Sequence, residues 1–139
     1  MRRAFISGPI QGLEHDQSYR EAIREICRRN GFEPVDPWVR ERVIYREGDA
    51  HRAGEGWNFD FISRDLRDIE RCDVLIAYLP RLSAGTCMEL FYAKLLGKMT
   101  ITICGIRDPS PWIIAHSDVI LGSIDELDGY LKRLPKPAD

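Results

Sequence analysis

The segment Asp73-Val-Leu-Ile-Ala-Tyr-Leu79 is the strongest buried-strand signal in the chain, an unbroken apolar run with a helical pattern on either side. Before it, residues 58–71 carry Phe59, Ile62, Leu66 and Ile69 at helical spacing. After it, Ser83-Ala-Gly-Thr86 opens a helix that runs to Leu96-Gly97. The same alternation holds elsewhere. Ala4-Phe5-Ile6 reads as a strand ending in the Ser7-Gly8-Pro9 turn, and residues 17–30 form a helix through Tyr19, Ala22, Ile23, Ile26 and Cys27, closed by Gly31. Residues 32–35, 99–104 and 118–121 complete five strands, and Ser123, with Glu126 in a capping box, opens a closing helix to Leu134. Strands alternating with helices predict an α/β fold of flavodoxin-like, doubly wound order, with a five-stranded parallel sheet and helices on both faces.

The 139 residues fit a single domain over 1–139, and 44% apolar residues can fill one core. Pro37 stops the second strand. Residues 38–57 are polar, contain glycine and have no clear period, so they are expected to form a mobile loop. Pro135 and Pro137 make residues 135–139 a frayed tail.

Twenty Lys plus Arg against twenty-two Asp plus Glu give a formal charge of -2, with no basic run to follow a phosphate backbone, which excludes long nucleic acids as partners. No apolar run reaches the roughly 20 residues needed to cross a bilayer, and Met1-Arg2-Arg3 leads into no secretory segment, so a cytoplasmic protein is expected. Cys27, Cys72, Cys87 and Cys104 are dispersed through apolar patterns, and His15, His51 and His116 are scattered, so neither a disulfide framework nor a zinc site is indicated. Arg20, Glu21, Arg24, Glu25 and Arg28 read as a solvated helix network without function.

In a doubly wound sheet, ligands bind beyond the carboxyl ends of the strands, which brings residues 7–12 and 80–89 to one crevice. Glu89 falls about one turn inside its helix on the edge of the apolar face, and the Gly85 turn exposes amides that can keep it ionised and aimed into the crevice. An ordinary first-turn glutamate complementing the helix dipole would look the same by residue type. Asp65 lies on the apolar stripe between Ile62, Leu66 and Ile69, where an unpaired carboxylate is costly. Asp68 is read as a surface partner of Arg64, Arg67 or Arg71. Two carboxylates on one crevice suit glycosyl transfer: one attacks the anomeric carbon and another group helps to protonate the departing base. The loop Ser7-Gly8-Pro9-Ile10-Gln11-Gly12 lets backbone approach a ligand but is no dinucleotide fingerprint, and no P-loop occurs.

Together, Phe5-Ile-Ser-Gly-Pro-Ile10, Arg64-Asp-Leu66, Cys72-Asp-Val-Leu-Ile76 and Ser83-Ala-Gly-Thr-Cys-Met-Glu-Leu-Phe-Tyr-Ala93 resemble the nucleoside 2-deoxyribosyltransferase family and its relatives, the nucleoside 5′-monophosphate N-hydrolases. The resemblance implies no cofactor, at least a homodimer with shared sites, and a covalent glycosyl-enzyme intermediate on Glu89. Asp65 then corresponds to the acid that orients or protonates the base. Phe5, Ser7, Gly8, Pro9, Ile10 and Gln11 correspond to the loop lining the sugar and base pocket, with Gly85 and Met88 in the nucleophile's own motif and Trp57 as an aromatic wall. His116-Ser117-Asp118 resembles the stretch a neighbouring subunit brings to the 5′ end of the sugar.

The chain departs from the transferase pattern at Ser83, where transferases carry Asp; the phosphate-cleaving relatives use a Ser there to bind a 5′-phosphate. Gln11 departs the other way, standing where those hydrolases carry an arginine, unless Arg81 or an arginine of the loop supplies the cation. Residues 135–139 lack the aromatic terminus that transferases insert into the next subunit's site. A hydroxyl at Ser7 predicts a hydrogen bond to a 2′-hydroxyl and acceptance of ribosides. The expected activity is (deoxy)ribosyl transfer from a nucleoside to another nucleobase, with hydrolysis of a nucleoside 5′-monophosphate as the alternative. A catalytically silent nucleotide-binding module is the rival from another class.

Overall fold

The computed structural model describes residues 1–46, 52–53, 56–57 and 60–136, with the side chains of 43–57 outside the description. In chain order the elements are β1 (Arg2–Ser7), α1 (Ser18–Arg29), β2 (Phe32–Val35), α2 (Trp38–Arg46), β3 (Arg52–Ala53), β4 (Gly56–Trp57), α3 (Asp60–Glu70), β5 (Val74–Leu79), α4 (Ala84–Leu95), β6 (Met99–Cys104), α5 (Pro111–Ala115), β7 (Val119–Leu121) and α6 (Asp125–Arg133). Five strands form one sheet in the order β2-β1-β5-β6-β7, and every ladder in it is parallel. The doubly wound order expected from the sequence is therefore the one found. No helix among the described residues is long and apolar enough to cross a membrane.

Alternation along the strands sorts the core into two layers. Ala4 and Ile6 of β1 and Ile76 of β5 pack beneath α1 and α6 with Ile23, Cys27, Leu127 and Leu131. Phe5, Leu75, Ala77 and Leu79 turn the other way, toward Ile69 of α3 and Leu90 and Ala93 of α4. Each fully buried Ile or Leu contributes about 1.5–3 kcal/mol relative to exposure. Ser7, two residues on from Phe5, faces the α3–α4 layer by the same parity, which decides what its hydroxyl meets.

Two expectations are corrected. The first nine residues of the expected loop, Trp38–Arg46, are helix α2. Its signal was present in Asp36-Pro37: the Asp36 carboxylate accepts from Trp38 N at 3.0 Å, and Val39 N bonds to Asp36 O, so Asp36 caps a helix that begins after proline. The helix is hard to read by period because Glu41, only 2% exposed, holds a buried position where an apolar residue would be expected. Second, Arg20 is not part of a solvated network. It is 1% exposed and paired to Asp36 at 2.8 Å, with its guanidinium also donating to Ile6 O at 3.3 Å, Gly8 O at 3.1 Å and Gln17 Oε1 at 2.7 Å. Arg24 reaches the other Asp36 oxygen at 2.5 Å.

Candidate functional site

The strand order reverses between β1 and β5, and a crevice of about 560 Å³ opens past their carboxyl ends. The loop after β1 forms one wall. Tyr19 Oη donates to Pro9 O at 3.1 Å, and Gln17 Nε2 donates to both Pro9 O at 3.0 Å and Leu13 O at 2.9 Å, so the first turn of α1 fixes the loop. A Cβ at Gly8 would meet the Tyr19 ring, with Cε2 at 2.7 Å, so this close approach requires glycine. The opposite wall is the start of α4, where Ser83 Oγ caps the helix by accepting from Thr86 N and Thr86 Oγ1.

Gly8, Pro9, Ile10, Gln11, Ser83, Gly85, Met88, Asp65 and Glu89 all line this crevice. Ser7 lies directly beneath it, 1% exposed, and its hydroxyl donates to Glu89 Oε1 at 2.6 Å. The strand parity that buries Phe5 turns Ser7 toward the carboxylate of α4. Phe5 is fully buried in the core and contributes no wall to the crevice. The side chain of Trp57 lies outside the described residues.

Ser117 and Asp118 are not brought to the crevice of their own chain. Ser117 Oγ donates to Ile113 O at 2.7 Å and pairs with Thr102 Oγ1 at 2.6 Å. Asp118 accepts from Thr100 N at 2.9 Å and Lys94 Nζ at 2.6 Å. Partial burial raises its pKa, but Lys94 and Thr100 outweigh that and hold the carboxyl below its usual range.

Electrostatically the crevice is organised around three acids on three elements. Burial pushes Glu89 up; the Ser7 hydroxyl lowers it, the Asp65 charge raises it and Arg20 lowers it, leaving a pKa of about 7. Asp65, 6% exposed, is likewise raised by burial, against the pull of a hydrogen bond with Glu41 and of Arg40. Arg40 Nη2 lies 3.3 Å from Asp65 Oδ1 and 2.5 Å from Asp68 Oδ2. The cation facing Asp68 thus comes from α2 instead of from a neighbour on α3. Glu41, unassigned by the sequence because it fell within the expected loop, lines the same crevice and is pushed up to about 10 by burial and by Asp65. Among the described residues no group of three or more His, Cys, Asp or Glu side chains is placed to hold a metal ion.

Arg81 stands at the rim, donating to Gln11 O at 2.8 Å and lining the crevice beside Ser83. A cation is therefore present where the sequence offered Gln11 in place of an arginine. Leu82 and Met88, the latter 71% exposed, line both the crevice and an adjoining apolar groove of about 520 Å³ bounded by Phe91, Trp112, Ile113 and His116.

A carboxylate that titrates near neutrality, with a second acid along the same crevice, is an arrangement compatible with forming and breaking a glycosyl ester. A family model described as nucleoside 2-deoxyribosyltransferase matches residues 4–126. Comparison with curated proteins gives no match. Among solved structures, a 2-deoxyribosyltransferase from Bacillus psychrosaccharolyticus is 17% identical with a TM-score of 0.64, covering 92% of this chain and 91% of that one. A conserved protein from Enterococcus faecalis V583 is 17% identical with a TM-score of 0.63, covering 96% and 98%. A CMP N-glycosidase from Clostridium botulinum is 21% identical with a TM-score of 0.57, covering 95% and 97%.

Proposed function

The chain belongs to the nucleoside 2-deoxyribosyltransferase family, and from that membership we propose that it cleaves an N-glycosidic bond through a covalent glycosyl intermediate on Glu89 and passes the (deoxy)ribosyl group to a second nucleobase. The observation that carries this reading is the Ser7–Glu89 hydrogen bond of 2.6 Å at the base of the crevice. One Glu89 oxygen is held by a fixed donor, which orients the other for attack on C1′, and the negative charge stabilises oxocarbenium character as the base departs. Asp65 lies along the same crevice as the group that assists the base. Water in place of the second base gives hydrolysis by the same route.

A second reading, hydrolysis of a nucleoside 5′-monophosphate, draws support from Arg81 beside the Ser83 cap at the rim. A guanidinium and a hydroxyl near amides of a helix start suit a phosphate. The two readings separate by product analysis with a Glu89→Ala control. A deoxynucleoside plus a foreign base yields a new nucleoside under the first; free base released only from monophosphates belongs to the second. No Glu89-dependent product from a broad panel leaves a binding module.

Removing the Ser7 hydroxyl takes away a bond that lowers the Glu89 pKa, so in Ser7→Ala the carboxylate ionises later than about pH 7. The acidic limb of the kcat/KM profile is expected to move up by about one pH unit, the order of one charge-assisted hydrogen bond. The ratio of riboside to deoxyriboside turnover is expected to stay unchanged, because Ser7 is spent on Glu89; a changed ratio would restore the sugar contact.

The expected oligomer is proposed to form across the apolar face of α4 and α5, where Trp112 is 73% exposed next to Phe91 and Leu82. Because Leu82 and Met88 border the crevice as well, a copy covering this face would stand beside the substrate. Trp112→Asp is expected to shift the sedimentation coefficient toward that of a monomer and to lower turnover with it. A monomeric wild type would rule the shared site out.

A further inference from the structure

Glu41 has no part in the chemistry so far, yet it is the most deeply buried acid facing the crevice. It shares a hydrogen bond with Asp65, and carboxylates that close in dry surroundings do not both ionise while the anion of Glu89 stands beside them, so the resting pair keeps one proton. The charges around the pair decide where that proton rests. Arg40, 3.3 Å from Asp65, favours the anion on Asp65, as does the more distant Arg64, while Asp68 opposes it. Glu41 faces Arg20, which is already paired with Asp36 at 2.8 Å, and the negative charge of Glu89. Glu41 Oε1 is buried with no hydrogen-bond partner among the described residues, a state far less costly for a neutral carboxyl oxygen than for a carboxylate. The proton therefore sits on Glu41 and is donated to Asp65.

Resting on the glycosyl-transfer reading above, we infer that Glu41 is a positioning acid: it stores the proton that Asp65 hands to the departing nucleobase, and recovers it when the acceptor attacks. In the first half-reaction the C1′–N bond breaks with its electron pair going to the base, and Glu89 forms the C1′–O bond. The Glu41 proton passes to Asp65 and from there to the base. Before this step the three acids carry two negative charges, one on Glu89 and one on the pair. Afterwards they again carry two, both on the pair, because the ester has removed the charge of Glu89. Loss of the proton is thus matched to loss of the neighbouring anion that favoured keeping it. In the second half-reaction the acceptor's N–H or O–H proton returns to Asp65 and Glu41 as the ester breaks.

The test compares wild type with Glu41→Gln, which preserves size and a donor to Asp65 but carries no transferable proton. Two substrates of the same sugar are used: the nucleoside, whose base leaves protonated, and the para-nitrophenyl glycoside, whose phenolate leaves without a proton. Turnover of the nucleoside is expected to fall about 100-fold with loss of the alkaline limb, and that of the nitrophenyl glycoside to change by less than about threefold. Infrared spectroscopy of protein labelled at glutamate carboxyls is expected to show a neutral carboxyl near pH 8.5, where Glu89 is ionised, that disappears in Glu41→Gln, and this reading of the wild type stands even if the variant folds poorly. Equal losses on both substrates, or no neutral glutamate in the wild type, would overturn the assignment. Absence of any Glu89-dependent turnover would remove the catalytic role together with the proposed function, and a persisting neutral-carboxyl band would then identify the function, not the shared proton, as the failure.

Discussion

Glu89→Gln is expected to lose turnover by about four orders of magnitude or more while melting at a higher temperature than the wild type above pH 7. The first effect follows from replacing a nucleophilic carboxylate by an amide that cannot form the glycosyl ester. The second follows from burial. In the unfolded chain a glutamate titrates near its ordinary value of 4.5, and in the fold Glu89 titrates at about 7. Between these values the folded protein holds more protons than the unfolded one, so stability from this residue is present below the unfolded pKa and falls as pH rises through the folded one. Above pH 7 the ionised side chain costs the fold roughly 2 kcal/mol, allowing for solvent in the open crevice. A neutral glutamine removes that cost, and thermal melts at pH 5 and pH 8 measure it: the variant should gain only at the higher pH. A variant no more stable at pH 8 would mean that Glu89 is well solvated and not tuned by its surroundings.

Arg20→Met should be the most damaging substitution away from the acids. It leaves Asp36 buried with Arg24 as its remaining cation, and frees the Ile6 and Gly8 carbonyls that the guanidinium satisfies. Removing one partner of a buried pair costs about 3–5 kcal/mol, a large share of a small domain's stability. Chemical denaturation is expected to show that loss with an unchanged slope. Because the freed carbonyls belong to the end of β1 and the loop after it, KM for the substrate should rise under conditions where the variant remains folded.

The sheet and its order were legible because each buried strand is an apolar run and α1 and α3 each present an apolar stripe; the parity of β1 follows from the same pattern. Glu89 and Asp65 were legible for a related reason, as acids placed where an apolar residue would be expected. Glu41 escaped because α2 has no clear period in the sequence: among its described side chains the buried one is itself charged, so the pattern that identifies a helix is missing where the third acid enters. Arg20 escaped for the opposite reason. Its place among Glu21, Arg24, Glu25 and Arg28 looks like a solvated face, and only the return of Asp36 from β2 gives it a buried partner. The bond of Ser7 to Glu89 was not legible, since the first-strand loop identifies which residues approach the crevice and not which way each hydroxyl turns.

Gly85 is exposed at the mouth of the crevice, and a methyl group built on it would meet no atom within 4 Å. It sits in the first turn of a helix where almost any residue is better tolerated than glycine. The entrance is therefore adjustable independently of the acids below it: successive larger side chains at this one position would narrow the opening in graded steps without disturbing the cap or the core. For protein engineering, this makes Gly85 a dial for the size of molecule admitted.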